Sequence, residues 1–209
     1  ADSPFPALIE GESGSGKEVV ASCLHRLSWR NDKSWFALNC AAIAPTLVEP
    51  TLFGYSKGAF TGASANKSGY FEDAREGTLF LDEIGELGLE LQPKLLRFLE
   101  SGEIAPLGES GPLTVDVRII AATNARLEQL VQEGRFREDL FYRLNVIRLP
   151  IPPLRERRDE IPGLVHHFVR RAATEFRKGR MQVAEETMEH LLLHPWPGNI
   201  RQLQNELRR

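Results

Sequence analysis

The chain has 209 residues, 42% hydrophobic and 26% charged, enough to bury the core of one ordinary domain or of a larger domain with a small appendage. A formal net charge of -3 argues against this piece gripping nucleic acid by bulk electrostatics, which needs clustered Lys and Arg, so any DNA contact is expected outside this chain. No apolar run approaches the ~20 residues that span a bilayer and no charged-then-apolar signal opens the sequence, so a cytoplasmic protein is expected.

In chain order, Pro6 to Glu10 reads as a short strand ending in glycines. Val19, Val20, Cys23, Leu24 and Leu27 then repeat at helical spacing over Glu18 to Trp29. Further strands are expected at Trp35 to Asn39, Gly77 to Asp82, Val115 to Ala122 and Val146 to Leu149, with helical segments between them. One of these, Leu89 to Glu100, requires Pro93 in its first turn. Alternation of strands and helices predicts an α/β fold with a parallel sheet covered on both faces and a ligand at the carboxyl ends of its strands. After Pro150-Ile-Pro-Pro153 only helical patterns remain, at Asp159 to Arg177, Ala184 to Leu193 and Asn199 to Arg208. The expected division is an α/β nucleotide-binding part over 1–153 and a helical lid over 154–209, hinged at the proline-rich stretch. Cys23 and Cys40 have neither zinc nor disulfide spacing and are read as two buried free thiols.

Gly11-Glu12-Ser13-Gly14-Ser15-Gly16-Lys17 follows a strand and opens a helix, the context in which backbone amides cradle phosphates and the lysine sits between β and γ. Position 18 is Glu where Ser or Thr ordinarily touches Mg²⁺, so Ser13 or Ser15, water or an acidic pair must help complete the metal shell, and the Glu18 carboxylate is expected to point away from the γ-phosphate. Thr78 to Asp82 is an apolar strand that ends in the carboxylates Asp82 and Glu83. Asp82 would hold Mg²⁺ through water, while Glu83 would orient and polarise the attacking water of an ATP hydrolase. Asn39 closes the neighbouring strand and could hydrogen-bond Glu83. Asn124 ends another strand and is placed to sense phosphate or water. Arg137 and Arg143, six apart on a helical segment, are candidate fingers for a neighbouring subunit's γ-phosphate, a reading that makes the active enzyme a ring. Arg201, at the start of the last helix, could reach the nucleotide from the lid.

Gly58-Ala59-Phe60-Thr61-Gly62-Ala63 lies between these two motifs, within a loop insertion at about 54–66. Glycines at both ends permit backbone conformations closed to other residues, so the segment reads as a mobile tip carrying one aromatic ring.

These residues in this order resemble the central AAA+ ATPase domain of bacterial sigma-54-dependent transcriptional activators, the enhancer-binding proteins. The resemblance spans essentially the whole chain. It rests most on Gly58 to Ala63, reinforced by Leu52-Phe-Gly54, Gly77 to Glu83 and Trp196 to Arg201. It implies a P-loop AAA+ three-layer αβα fold with a C-terminal helical lid, Walker A at Gly11 to Glu18, Walker B at Asp82 and Glu83, and ATP with Mg²⁺ as cofactors. It implies that Asn39 is the glutamate switch, Asn124 sensor I and Arg201 sensor II, with Arg137 and Arg143 as fingers in a hexamer. Gly58, Ala59, Phe60, Thr61, Gly62 and Ala63 would contact the sigma-54 RNA polymerase holoenzyme. Pro50-Thr51 and Tyr55-Ser56 depart from the family's usual Ser-Glu and His-Glu at the loop base. Receiver and DNA-binding domains would lie outside this chain, which is expected to be a piece of a longer protein. The competing reading is a nucleotide-gated AAA+ binding module without efficient turnover, motivated by Glu18. A small-molecule kinase on the same loop is a third, disfavoured by the exposed Phe60 finger.

Overall fold

The structure, a computed structural model, describes residues 1–109, 111–177, 179 and 181–208. The chain packs as two compact units, one comprising 1–10 and 18–149, the other 11–17 and 150–209.

The first unit is built on a sheet. Strand β1 (Ala7–Glu10) feeds helix α1 (Lys17–Arg26), and β2 (Trp35–Asn39) leads to α2 (Pro45–Phe53). Two two-residue strands, β3 (Gly54–Tyr55) and β4 (Lys67–Ser68), pair antiparallel and frame the inserted loop. Then follow α3 (Tyr70–Asp73), β5 (Thr78–Asp82) and α4 (Gln92–Ser101), with Pro93 in the first turn as expected. A second small hairpin, β6 (Glu103–Ile104) and β7 (Leu113–Thr114), precedes β8 (Arg118–Thr123). Helices α5 (Leu127–Gln132) and α6 (Glu138–Leu144) lead to β9 (Ile147–Pro150). The main sheet has five strands in the order β2-β5-β8-β1-β9, a parallel α/β arrangement. Register sets Leu8 beside Ala121, Leu81 beside Ala121 and Leu38 beside Leu81, so one parity of side chains makes a continuous apolar face. Phe53, Phe71 and Phe98 cover that face from the helices, with Phe71 and Phe98 ring centroids 4.4 Å apart. The opposite parity begins with Thr78 and Phe80, where Trp35 stacks on Phe80 and His25 meets the Thr78 hydroxyl at 3.0 Å.

Two expectations change here. The β8 strand starts at Arg118 rather than Val115, because Val115 and Asp116 are used elsewhere: the Val115 amide donates to Gly102 and the Asp116 carbonyl accepts from Glu76. Of the two thiols only Cys40 is buried. Cys23 is exposed, lying on the outer face of α1 one turn from Val19 and Leu27, which are 67% and 73% exposed.

In the second unit, α7 (Ile161–Glu175), α8 (Glu185–Leu193) and α9 (Asn199–Glu206) close over a core of Leu154, Ile161, Val165, Val169, Trp196 and Leu203. Trp196 is anchored by its indole N–H, which donates to Leu191 O at 2.7 Å. Among the described residues no helix is long and apolar enough to cross a membrane.

Candidate nucleotide and partner site

In the second unit, the loop 11–17 carries the residues read from the sequence as a phosphate cradle. Close approach requires glycine at positions 11 and 14, and a positive φ of +102° favours it at Gly16. A Cβ on Gly14, whose φ is +75°, would meet Gly198 O at 2.5 Å, and one on Gly11 would meet Ser15 Oγ at 2.8 Å. Lys17, buried, donates from Nζ to Gly11 O at 3.0 Å, which curls the side chain over the loop. Ser15 is buried and its Oγ has no hydrogen-bond partner among the described residues, a hydroxyl available to an oxygen-bearing ligand or its metal. Glu18 is exposed. Arg201 donates to Ser13 Oγ at 3.1 Å. Thus Glu12, Ser13, Ser15, Lys17 and Arg201 are brought together.

In the first unit, the carboxyl edge of the sheet gathers Asn39, Asp82, Glu83 and Asn124. Asn39 and Asp82 are register partners on β2 and β5. The Asn39 amide donates to Asp82 Oδ2 at 3.1 Å, where the sequence reading had expected Glu83, and its own oxygen is held by the Ala41 and Ala42 amides. Glu83 has a left-handed backbone, φ 51° and ψ 50°, outside the usual range for a residue with a side chain. Its carboxylate accepts from the Asn124 backbone N–H at 3.1 Å, so it is the main chain of Asn124 that engages Glu83. The same two carboxylates, after burial itself, push the nearby Cys40 thiol up to about 12.

Among the described residues no cluster of three or more His, Cys, Asp or Glu side chains could hold a metal. The Asp82 carboxylate, held by the Asn39 amide, is a hard oxygen donor of the kind that suits Mg²⁺.

Arg137 and Arg143 both lie at α6, but each is engaged within its own chain. Arg137 makes a two-pronged pair with Asp139 at 3.0 and 2.7 Å, and Arg143 donates twice to Leu99 O. One residue that sequence reasoning missed is Gln92. Fully buried, it donates to Leu87 O and Arg135 O and accepts from the Arg137 N–H at 2.8 Å, which fixes the backbone that carries Arg137. A polar residue inside the amphipathic pattern of α4 was its only signal.

The loop from Ser56 to Asn66 is ordered by its own backbone: Gly58 N–H donates to Ala63 O at 2.9 Å and Ala63 N–H to Phe60 O at 3.0 Å. Gly58 and Gly62 have φ of +86° and +107° with open space around them, so their role is conformational. Phe60 is 41% exposed and Thr61 exposed. The 103–114 hairpin abuts the loop base: Ser56 N–H and Oγ both donate to Leu107 O, and a Cβ on Gly108 would lie 2.6 Å from Ser56 Oγ.

Residues 1–150 match the Sigma-54 interaction domain family and residues 155–209 the AAA+ ATPase lid domain. The chain belongs to the sigma-54-dependent activators. It is 54% identical over 206 residues to the DNA-binding transcriptional regulator NtrC of Escherichia coli K12, covering 99% of this chain and 44% of that protein. It is equally, at 54%, identical to the putative uric acid sigma-54-dependent transcriptional regulator UacR of the same organism, covering 98% of this chain and 35% of that one. Among solved structures, NtrX from Brucella abortus superposes with a TM-score of 0.93 at 38% identity, covering 100% of this chain and 47% of that one. NtrX in complex with ATP superposes at 0.90 and 38%, covering 99% and 47%. This activator domain therefore spans less than half the length of these relatives, and its P-loop AAA+ fold is theirs.

Proposed function

We propose that this domain hydrolyses ATP in the cytoplasm as a ring of its own copies, a hexamer, and uses the stroke to move the Gly58–Ala63 loop against the sigma-54 RNA polymerase holoenzyme. The observation that carries the reading is the pairing, in one sigma-54 interaction domain, of a glycine-shaped phosphate loop with a separately framed aromatic loop. In this mechanism Gly11 to Glu18 bind the phosphates, with Lys17 countering the charge that builds during transfer. Asp82 would hold Mg²⁺, an ion that would supply positive charge to offset that of the phosphates. Glu83 polarises the attacking water, and its attachment to the Asn124 N–H keeps the carboxylate oriented. Asn39, bonded to Asp82, steadies the metal-side carboxylate. Arg137 and Arg143 would leave Asp139 and Leu99 O to reach a neighbour's nucleotide, so turnover depends on assembly. Arg201 reads the phosphates from the lid. The NtrX complex with ATP supports nucleotide binding by this fold at 38% identity.

The test is an ATPase titration against protein concentration, with two variants. Turnover should rise steeply with concentration; Glu83→Ala should bind ATP without hydrolysing it; Thr61→Ala should hydrolyse but not engage sigma-54. No turnover at any concentration would instead support the nucleotide-gated module. Equal loss of both activities by Thr61→Ala would sink the coupling.

A further inference from the structure

A carboxylate is an unfavourable neighbour for phosphate, yet Glu12 is the second residue of the phosphate loop. Backbone amides, a helix start and Lys17 attract an anion there, and one negative charge among them opposes it. In the second unit the lid residues meet that charge. Arg155 donates from Nη1 and Nη2 to the two Glu12 oxygens at 2.9 and 2.7 Å, and Asn199 Nδ2 adds a bond to Oε2 at 3.1 Å. The Arg155 bonds first, then that of Asn199, hold the Glu12 carboxyl at about 2. Asn199 is itself immobilised: fully buried, with φ 49°, it accepts from the Leu154 N–H at 2.7 Å and donates to Ser13 O at 3.1 Å. Arg157 adds a bond to Ser15 O at 2.6 Å. Glu12, Ser13 and Ser15 are thus tied to the segment 154–157 and to the start of α9.

We propose that Arg155 is a positioning residue of the phosphate loop: by saturating Glu12 it cancels the loop's own negative charge and fixes the amide cradle, so affinity for a nucleoside triphosphate depends on a lid arginine acting through another side chain. The proposal rests on the nucleotide-binding reading above and assigns Arg155 a role apart from that of Arg201.

The experiment uses the 209-residue chain, the variants Arg155→Gln and Arg155→Lys, and the double variant Glu12→Gln/Arg155→Gln, with folding checked by circular dichroism. Calorimetry measures binding of a non-hydrolysable ATP analogue and of ADP. Hydrogen exchange of amides 11–17 is followed without nucleotide. Arg155→Gln should weaken the ATP analogue on the order of 10-fold and ADP less, because it leaves a bare carboxylate beside the extra phosphate charge. It should also speed exchange across the loop. Arg155→Lys, which keeps the charge but loses the fork, should fall between. The double variant should recover most of the affinity, since no charge is left to cancel. Wild-type affinity in Arg155→Gln, or a double variant as weak as the single, overturns the proposal. An unaltered chain that binds neither nucleotide sinks the nucleotide reading instead, and the exchange comparison still decides whether Arg155 holds the loop.

Discussion

Tyr55 receives Phe60 edge-on, with ring centroids 5.0 Å apart and planes inclined at 64°. The aromatic tip of the inserted loop therefore rests on the strand that begins the loop, neither packed in the core nor standing clear in solvent. Aromatic pairs of this kind contribute about 0.5–1.5 kcal/mol beyond the area they cover, a contact that thermal motion can break. Tyr55→Ala should raise amide exchange across residues 58–63 by roughly 2- to 10-fold with little change in the urea midpoint, while Tyr55→Phe should exchange as the natural chain does. Identical exchange in the alanine variant would show that the ring contact holds nothing.

Gln92 offers a stability test. Replacing it with Leu takes the partner from the buried Leu87 carbonyl and from the partly buried Arg135 carbonyl and Arg137 N–H, three groups at once. The expected loss is about 2–4 kcal/mol in urea unfolding. Gln92→Glu, which keeps the acceptor for Arg137, should still destabilise, because a buried carboxylate cannot donate to the two carbonyls. A loss below about 0.5 kcal/mol for Gln92→Leu would mean that the network is dispensable.

His25 and Glu12 both contribute to the acid sensitivity. Burial first, then the charge of Arg118, holds the His25 imidazole below its ordinary 6.5. The unfolded chain thus binds the proton more readily, so stability should fall as pH drops below about 6.5, with a slope of at most ~1.4 kcal/mol per pH unit. His25→Gln should flatten that limb. Glu12 behaves oppositely in cause though not in outcome: lowered from 4.5 to about 2, it stabilises the folded state fully above 4.5, and this contribution is lost as pH falls toward 2. Because the Glu12 side chain is 42% exposed, its share should be small. A pH profile of urea midpoints for the natural chain and His25→Gln checks both limbs.

The thiols should separate cleanly. Cys40, raised from 9.0 to about 12, holds on the order of 1,000-fold less thiolate than an unshifted thiol and is buried besides. One equivalent of a maleimide should add rapidly to the native protein, at Cys23, and a second only after denaturation, as read by mass spectrometry of the peptides. Rapid native labelling of Cys40 would contradict its placement.

Where the sequence carried a local signal, fold and site were legible. The apolar run Thr78 to Leu81 followed by two acids could only be a buried strand with a polar end, and the glycines of 11–17 announced a backbone that must come close to something. Position along the strands also put Asn39 beside Asp82, but the choice of which carboxylate it bonds depends on the left-handed turn at Glu83, which no propensity marks. Gln92 and the Arg155–Glu12 pair were invisible for another reason: each joins residues 43 or more apart, and a single glutamine or arginine in a helical or charged stretch has the same local appearance whether solvated or committed. Cys23 was misplaced because periodicity gives a helix its apolar stripe without saying whether anything covers it.

The left-handed backbone of Glu83 has a consequence for engineering. Glycine there would relax the turn at once, and so would asparagine to a lesser degree, each a substitution that thermostability screens reward. Either would delete the carboxylate assigned to activate water. Selection for endurance alone would thus drift toward a tougher protein without that carboxylate, the trade between stability and activity that the role proposed for Glu83 predicts.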